Sequence, residues 1–353
     1  MWLLTNETPF AAERTWTRDE RGAEFWLVAV RACFEIDGDG RQRPAEDQTP
    51  VQRFPVFAGD PARSGLETEA DFVLSKAGTD ILVSGRAHAP GGRPERRLRV
   101  RLKVATIDKS VDVVGERRIF RGGMGLGITP PEPFVSLPLC WERSYGGWDD
   151  RADPQAWEPS NPAGRGFAAA PEHLYDSQAP NLEYPDAPYR GPGDGRPAAF
   201  GPVAAHWQPR VRYAGTYDAA WEESRNPLLP ADFDRRFFHC APADQQTAKP
   251  LTGYEEVRVG GMTPEGVWGF VLPRIAFDIV TTFKGAGDVR GEAPIHTLWL
   301  MPERRRFEIV YLSALHVPPG RDEKLVGTTI RVRPRIGTPD SIRRAGVWSG
   351  SQR

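Results

Sequence analysis

The sequence predicts an all-β protein: an antiparallel sandwich or distorted open barrel, wrapped by a long ordered loop layer rich in Pro, Gly and aromatic residues, with few short helices. Three observations predict it. Gly 36 and Pro 34 make up about a fifth of the 353 residues, and each interior proline costs a helix ~3 kcal/mol. The run from Arg97 to Val104 alternates strictly. Leu98, Val100, Leu102 and Val104 lie on one face and Arg97, Arg99, Arg101 and Lys103 on the other, the period of a half-buried strand. Short apolar runs recur about every ten to fifteen residues with turn signals between them, as in a sandwich or open barrel.

The elements follow in order. Glu24–Ile36 is rich in β-branched and aromatic residues and stops at Asp37-Gly38-Asp39-Gly40, where glycine supplies positive φ. Asp80–Ala89 precedes the alternating strand across Pro90-Gly91-Gly92-Arg93-Pro94, which suggests a hairpin, with Lys109–Val114 as a third strand. Glu256–Val259, Val267–Leu272, Phe277–Phe283, Ile295–Met301 and Arg306–Ser313 repeat the pattern, the last two as a hairpin through Pro302-Glu303-Arg304-Arg305. The helix candidates are Pro230–Phe237 and Pro339–Ala345. Residues 1–335 thus read as one β domain, strand-rich over 1–121 and 251–335, with 336–353 as a basic tail. The loop layer spans 122–250. It carries Trp141, Trp148, Trp157, Tyr189, Trp207 and other aromatics, which disordered linkers lack, so it is expected to be ordered and packed on the strands.

Charge and cysteine content narrow the function. Lys and Arg total 46 against 47 Asp and Glu, a balance that gives no reason to expect nucleic acid or a membrane surface as partner. The N-terminus lacks the basic and apolar regions of a signal peptide, and the longest apolar stretches, about six residues, fall short of a membrane helix. Cys33, Cys140 and Cys240 form neither a disulfide framework nor a CxxC pair and read as reduced core thiols of a cytoplasmic protein. No cofactor is expected.

Several constellations could carry chemistry. Asp232 and Asp234 sit two positions apart, as a glycosidase-type carboxylate pair could, but Pro230-Ala231-Asp232 also reads as a helix start with Arg235 and Arg236 as neutralising partners. His206 and His239 with those aspartates match no compact metal signature. Cys240 beside His239 would point to the opposite face of a strand. Gly122-Gly123-Met124-Gly125-Leu126-Gly127 lacks the Lys-Ser/Thr of a phosphate loop. Residues 86–121 hold 11 Lys/Arg against 4 Asp/Glu, so the Arg97, Arg99, Arg101 and Lys103 face could dock an acidic partner; the plainer reading is a solvated face that pairs internally.

The loop layer also carries a resemblance. Trp141-Glu142-Arg143-Ser144-Tyr145-Gly146-Gly147, Asn161-Pro162-Ala163-Gly164-Arg165-Gly166-Phe167, Trp207-Gln208-Pro209-Arg210, Ala214-Gly215-Thr216-Tyr217-Asp218-Ala219-Ala220-Trp221, Leu229–Phe238 and Ala241–Gln246 occur in this order, after Ser75–Val83. Together they resemble the bacterial domain-of-unknown-function family numbered 2169, over most of residues 1–315. Tyr145 stands where Phe is commoner, and Ser144 and Ala163 are milder departures. The resemblance implies a non-catalytic adaptor or chaperone. Members occur with type VI secretion genes, and some load a toxic effector onto the valine–glycine-repeat spike protein or its PAAR-repeat tip. The family assigns no catalytic residue. The residues themselves suggest scaffold roles. Gly146, Gly147, Gly164, Gly166 and Gly215 set turns, and Trp207, Trp221, Phe237 and Phe238 anchor loops. Asn161, Tyr217 and Gln245 stand in the same motifs, while Arg210, Asp218, Asp232 and Asp234 are expected to satisfy loop backbone from buried or half-buried positions. The competing readings are a carbohydrate-active hydrolase using Asp232 and Asp234, and a carbohydrate-binding module using exposed coplanar tryptophans.

Overall fold

The computed structural model describes residues 2–333, except Asp39 and Met124. The tail 336–353 and the Pro339–Ala345 helix candidate lie outside the described residues. The layers are built, in chain order, from β1 (Leu3–Asn6), β2 (Ala11–Arg18), β3 (Glu24–Ile36), β4 (Asp80–Val83), β5 (Arg97–Val104) and β6 (Ile107–Val114). The loop layer adds β7 (Leu182–Glu183). Then come β8 (Glu256–Gly260), β9 (Val267–Val271), β10 (Phe277–Phe283), β11 (Gly287–Gly291), β12 (Ile295–Met301), β13 (Arg306–Val317) and β14 (Leu325–Val332).

These strands form an all-β sandwich of open sheets; none closes into a barrel. A six-stranded sheet runs β2-β3-β13-β12-β4, with Gln42–Pro44 also on β3. A five-stranded sheet runs β7-β6-β5-β8-β9, and a four-stranded one β1-β14-β10-β11. Trp26, Val28, Val30, Ala32 and Phe34 of β3, Val100, Leu102 and Val104 of β5, and Phe277 and Ile279 of β10 meet in one core. Most pairs are antiparallel; β12 with β4 and β1 with β14 are parallel.

β3 reads as an almost unbroken apolar run because both of its faces are buried. Its even-numbered residues enter the core, while Leu27 and Ala29 pack against Leu74 and Leu312 beneath the loops. β5 alternates because its outer face meets water. The hairpin expected between Asp80–Ala89 and β5 does not form. Asp80–Val83 is buried throughout and joins β12 in the six-stranded sheet, and Arg86–His88 pairs with Ser136–Pro138. β5 turns instead directly into β6. The β12–β13 hairpin forms through Pro302–Arg304 as expected.

The loop layer is ordered through 3-10 turns and strands of two to four residues. Its one α-helix among the described residues is Ala219–Ser224, capped by Asp218, whose side chain accepts from Trp221 N. The expected Pro230–Phe237 helix shrinks to a 3-10 turn at Arg235–Phe238, capped by Asp234. No helix among the described residues is long and apolar enough to cross a membrane.

Candidate functional site

Strand register brings polar side chains together on the outer face of the six-stranded sheet. Arg31, Val310, Thr297 and Asp80 lie in one cross-strand row, and Cys33, Glu308, Trp299 and Leu82 in the next. Arg31 is a lone charge inside the apolar run of β3. Its Nη1 donates to Asp71 Oδ2 at 3.0 Å, and its Nε to Glu308 Oε2 at 2.8 Å. Gln52 N donates to Asp71 Oδ2 at 2.8 Å and Thr49 Oγ1 to Glu308 Oε1 at 2.6 Å. Burial pushes Asp71 above the ordinary carboxylate range despite Arg31. Burial opposes the Glu308 charge too, but Arg31 and Thr49 outweigh it and hold Glu308 down. Two carboxylates with values pushed apart could divide acid and base work. Here, however, both are tied to one arginine and to loop donors, which makes the trio a lock between sheet and loops.

A second cluster centres on Asp80, which is wholly buried. Lys76 Nζ reaches Asp80 Oδ2 at 2.6 Å, His239 Nδ1 reaches Oδ1 at 2.7 Å, and Cys240 N donates to Oδ2 at 2.8 Å. Burial opposes the Asp80 charge, but Lys76 and His239 outweigh it and hold the group well below its ordinary range. Burial and Asp80 push the Cys240 thiol far up, so it is no nucleophile. The strand rule that set His239 and Cys240 on opposite faces does not apply. They follow the Arg235–Phe238 turn, and that bend aims both at Asp80. Neither cluster announced itself in the sequence. The available signals were a single Arg inside β3 and a single Glu inside β13, each charged in a run that is otherwise apolar.

Other motif residues bolt the loop layer together. Asn161 is fully buried and its Nδ2 donates to Trp141 O at 2.9 Å and Tyr145 O at 2.8 Å. Gly147 has φ +102°, and a Cβ there would lie 2.4 Å from Gly164 O. Gly146, Gly166 and Gly215 also have positive φ, whereas Gly164 is needed for close approach, since its Cβ would meet Asn161 Nδ2 at 2.4 Å. Gln245 Nε2 donates to Ile81 O at 2.6 Å and Phe200 O at 3.0 Å, while its Oε1 accepts from Lys109 Nζ at 2.7 Å. It thereby bridges β4 and β6. Burial pushes Lys109 down to about 8. Trp207 is fully buried against Trp141, and Arg210 ties Glu69 to Val203 O.

Of the aspartates expected to be buried or half-buried, Asp218 and Asp232 lie on the surface instead, and Asp234 is half-buried. Tyr217 is exposed and packs edge-on against half-buried Trp221. Asp232 Oδ1 accepts from Thr216 N at 2.9 Å, and Asp234 Oδ2 accepts from Arg236 Nε at 2.8 Å. The Thr216 bonds hold Asp232, and the Arg236 bonds hold Asp234, below the ordinary range. Both shifts run opposite to the upward one that a general acid requires. His206, His239 and these aspartates do not converge. Among the described residues no group of three or more His, Cys, Asp or Glu could hold a metal ion. Trp148 and Trp157 stack face to face at 4.7 Å with Arg63 over Trp148, rather than lying side by side as a flat sugar platform.

The six-stranded sheet borders two open depressions. A polar cleft of about 530 Å³ lies over Arg31, Glu308 and Trp299 and is rimmed by Glu67, Glu303 and Arg304. An apolar groove of about 510 Å³ runs between β2 and Phe72, Leu228, Leu229 and Phe238. On the five-stranded sheet, Arg97, Arg99 and Arg101 have half-exposed side chains. Arg99 grips Asp112, Arg101 grips Asp108, and Arg97 reaches Glu183 at 3.4 Å. Asp112 and Glu183 are buried, whereas Asp108 is exposed beside Arg101, so each of the three arginines has an acidic partner. No curated protein and no solved structure matches the chain. A family model described as an uncharacterized protein conserved in bacteria matches residues 21–312, which takes in β3 to β12, most of β13 and every loop-layer motif. The chain belongs to that family, DUF2169.

Proposed function

We propose that the chain is a non-catalytic adaptor that binds a type VI secretion effector in the bacterial cytoplasm and loads it onto the spike or its PAAR-repeat tip. The observation that carries this reading is the exposed face of β5. It offers Arg97, Arg99, Arg101 and Lys103 in one row on the sheet, with the partner acids Asp112 and Glu183 buried and Asp108 exposed beside Arg101. Such a face attracts and orients an acidic protein surface. Two further observations favour binding over turnover. Arg31 and Glu308 at the floor of the polar cleft are tied into the loop lock, and Asp232 and Asp234 are each taken up by a donor of their own.

Co-expression of the chain with the effector and spike proteins tests the reading. The informative variant is Arg101→Ala with Lys103→Ala, because their neighbour Asp108 is solvent-exposed and no buried acid loses its partner. Effector should co-purify with the unaltered chain and be lost from the variant, at unchanged thermal stability. An effector that never co-purifies with the unaltered chain refutes the adaptor; one retained by the variant refutes this docking face.

A further inference from the structure

We infer that the chain's own segment Arg344–Trp348 docks as an added strand in the apolar groove beside β2 and closes that edge of the six-stranded sheet. Five consecutive residues, Thr15 to Asp19, line one side of the groove. Successive strand residues point to opposite faces, so only the open edge of a strand presents all five to one space. β2 is the end strand of its sheet, and its hydrogen-bond phase agrees. Asp19 N donates to Ala23 O at 3.0 Å, so odd-numbered positions bond to β3 and even-numbered ones turn their N–H and C=O groups outward.

Natural sheets cover or blunt such edges. Arg14 N, on the outward side, is taken up by the Glu13 carboxylate at 2.9 Å. Trp16 and Arg18 lack such cover. Among the described residues the one bond to either backbone from outside the ladder is a long one, Thr15 Oγ1 to Trp16 O at 3.4 Å. Across the groove stand Phe72, Leu228, Leu229 and Phe238, all apolar and half-buried. A strand laid between them and β2 would gain backbone bonds on one side and bury a large side chain on the other.

Reach and charge select the occupant. The described chain ends beside the start of β2. Val332 pairs with Phe277, whose ring meets that of Phe10 at 6.2 Å. From Phe10 the edge runs seven residues to Thr17, ~24 Å. Trp348 follows Arg333 by fifteen residues, and an extended chain spans ~3.3 Å per residue, so it reaches the groove with length to spare. Such a tether gives this segment an effective concentration that a free partner lacks. In an extended segment Arg344, Gly346 and Trp348 share one face. The groove offers that face an apolar wall for Trp348 and acids for Arg344. Trp221 Nε1 donates to Leu228 O at 2.8 Å, which ties the Ala219–Ser224 helix to the wall. Glu222 and Glu223 of that helix are exposed and form no ion pair among the described residues. The neighbouring cations are already committed: Arg18 to Glu24, Arg235 to Glu20, and Arg225 to Leu229 O and Glu20 O. A partner strand would reach β2 only by displacing the segment.

Backbone amide exchange on the full chain tests this. Val347→Ser with Trp348→Ser alters no described residue, so the sheet itself is untouched. Trp16 and Arg18 amides should be protected in the unaltered chain and exchange at least tenfold faster in the variant. The synthetic peptide acetyl-Arg-Ala-Gly-Val-Trp-Ser-amide, at millimolar concentration, should restore protection to the variant. Glu222→Lys with Glu223→Lys in the variant should weaken the peptide about tenfold. Equal exchange in the two chains leaves the groove to a separate partner and overturns the inference. So does fast exchange that the peptide fails to reverse. So does protection that rises with protein concentration, since a second copy would then fill the edge.

Discussion

Replacing Asp80 with alanine is the sharpest probe of what holds the loop layer to the sheet. Asp80 is completely buried, and the Lys76 side chain is 3% exposed. The substitution strands a buried ammonium, which costs ~3–5 kcal/mol. It also leaves Cys240 N without its acceptor, worth ~1–3 kcal/mol more. Domains are held by only ~5–15 kcal/mol, so the variant should be severely destabilised. Lys76→Met in the same background removes the stranded charge and should recover at least ~2 kcal/mol. Urea unfolding followed by tryptophan fluorescence, run on both single variants and the double variant, measures the coupling. A loss below ~1 kcal/mol for Asp80→Ala, or a double variant as unstable as the sum of the singles, would refute the lock.

Further perturbations address the bolts and the buried base. Gln245→Ala takes the side-chain donor from Ile81 O, leaves Phe200 O with Val83 N alone, and should cost ~1–3 kcal/mol in urea unfolding, with amide exchange rising first along β4. Gly147→Ala meets both a positive φ and the Gly164 carbonyl and should lower the thermal midpoint by more than the equivalent of ~1 kcal/mol. Burial, reinforced by Lys76, pushes His296 down to about 3 from an ordinary 6.5. The unfolded chain binds a proton there that the folded chain refuses. Stability should therefore fall as pH drops from about 6.5 towards 3, by up to ~1.4 kcal/mol per unit. Urea midpoints measured between those values should show a shallower pH slope in His296→Gln.

Much of the strand architecture was legible because it depends on local pattern. The period-two alternation of Arg97–Val104 marks one wet face and one dry face, and β5 has that span. Glu24–Ile36 and Phe277–Phe283 also match, and the tryptophan-rich middle is ordered as its aromatics imply. Local pattern failed where a segment had two partners to choose from. Asp80–Val83 could pair with β5 by proximity in the chain, but full burial on both faces is available only beside β12.

What the sequence determined by itself is the inventory of faces: which strands are half wet, which are dry on both sides, and where glycine must turn the chain. Those properties follow from a residue and its near neighbours. The tertiary structure alone decided which charges meet. Arg31 finds Asp71 and Glu308 at separations of 40 and 277 residues, and Asp80 meets His239 at a separation of 159. No local period encodes such encounters, because they are fixed by strand register and by the path of loops that cross the sheet. The same reason separates the motif aspartates from chemistry. Asp232 and Asp234 look like a pair along the chain, yet folding gives each its own donor and leaves the buried carboxylate work to Asp71, Asp80 and Glu308.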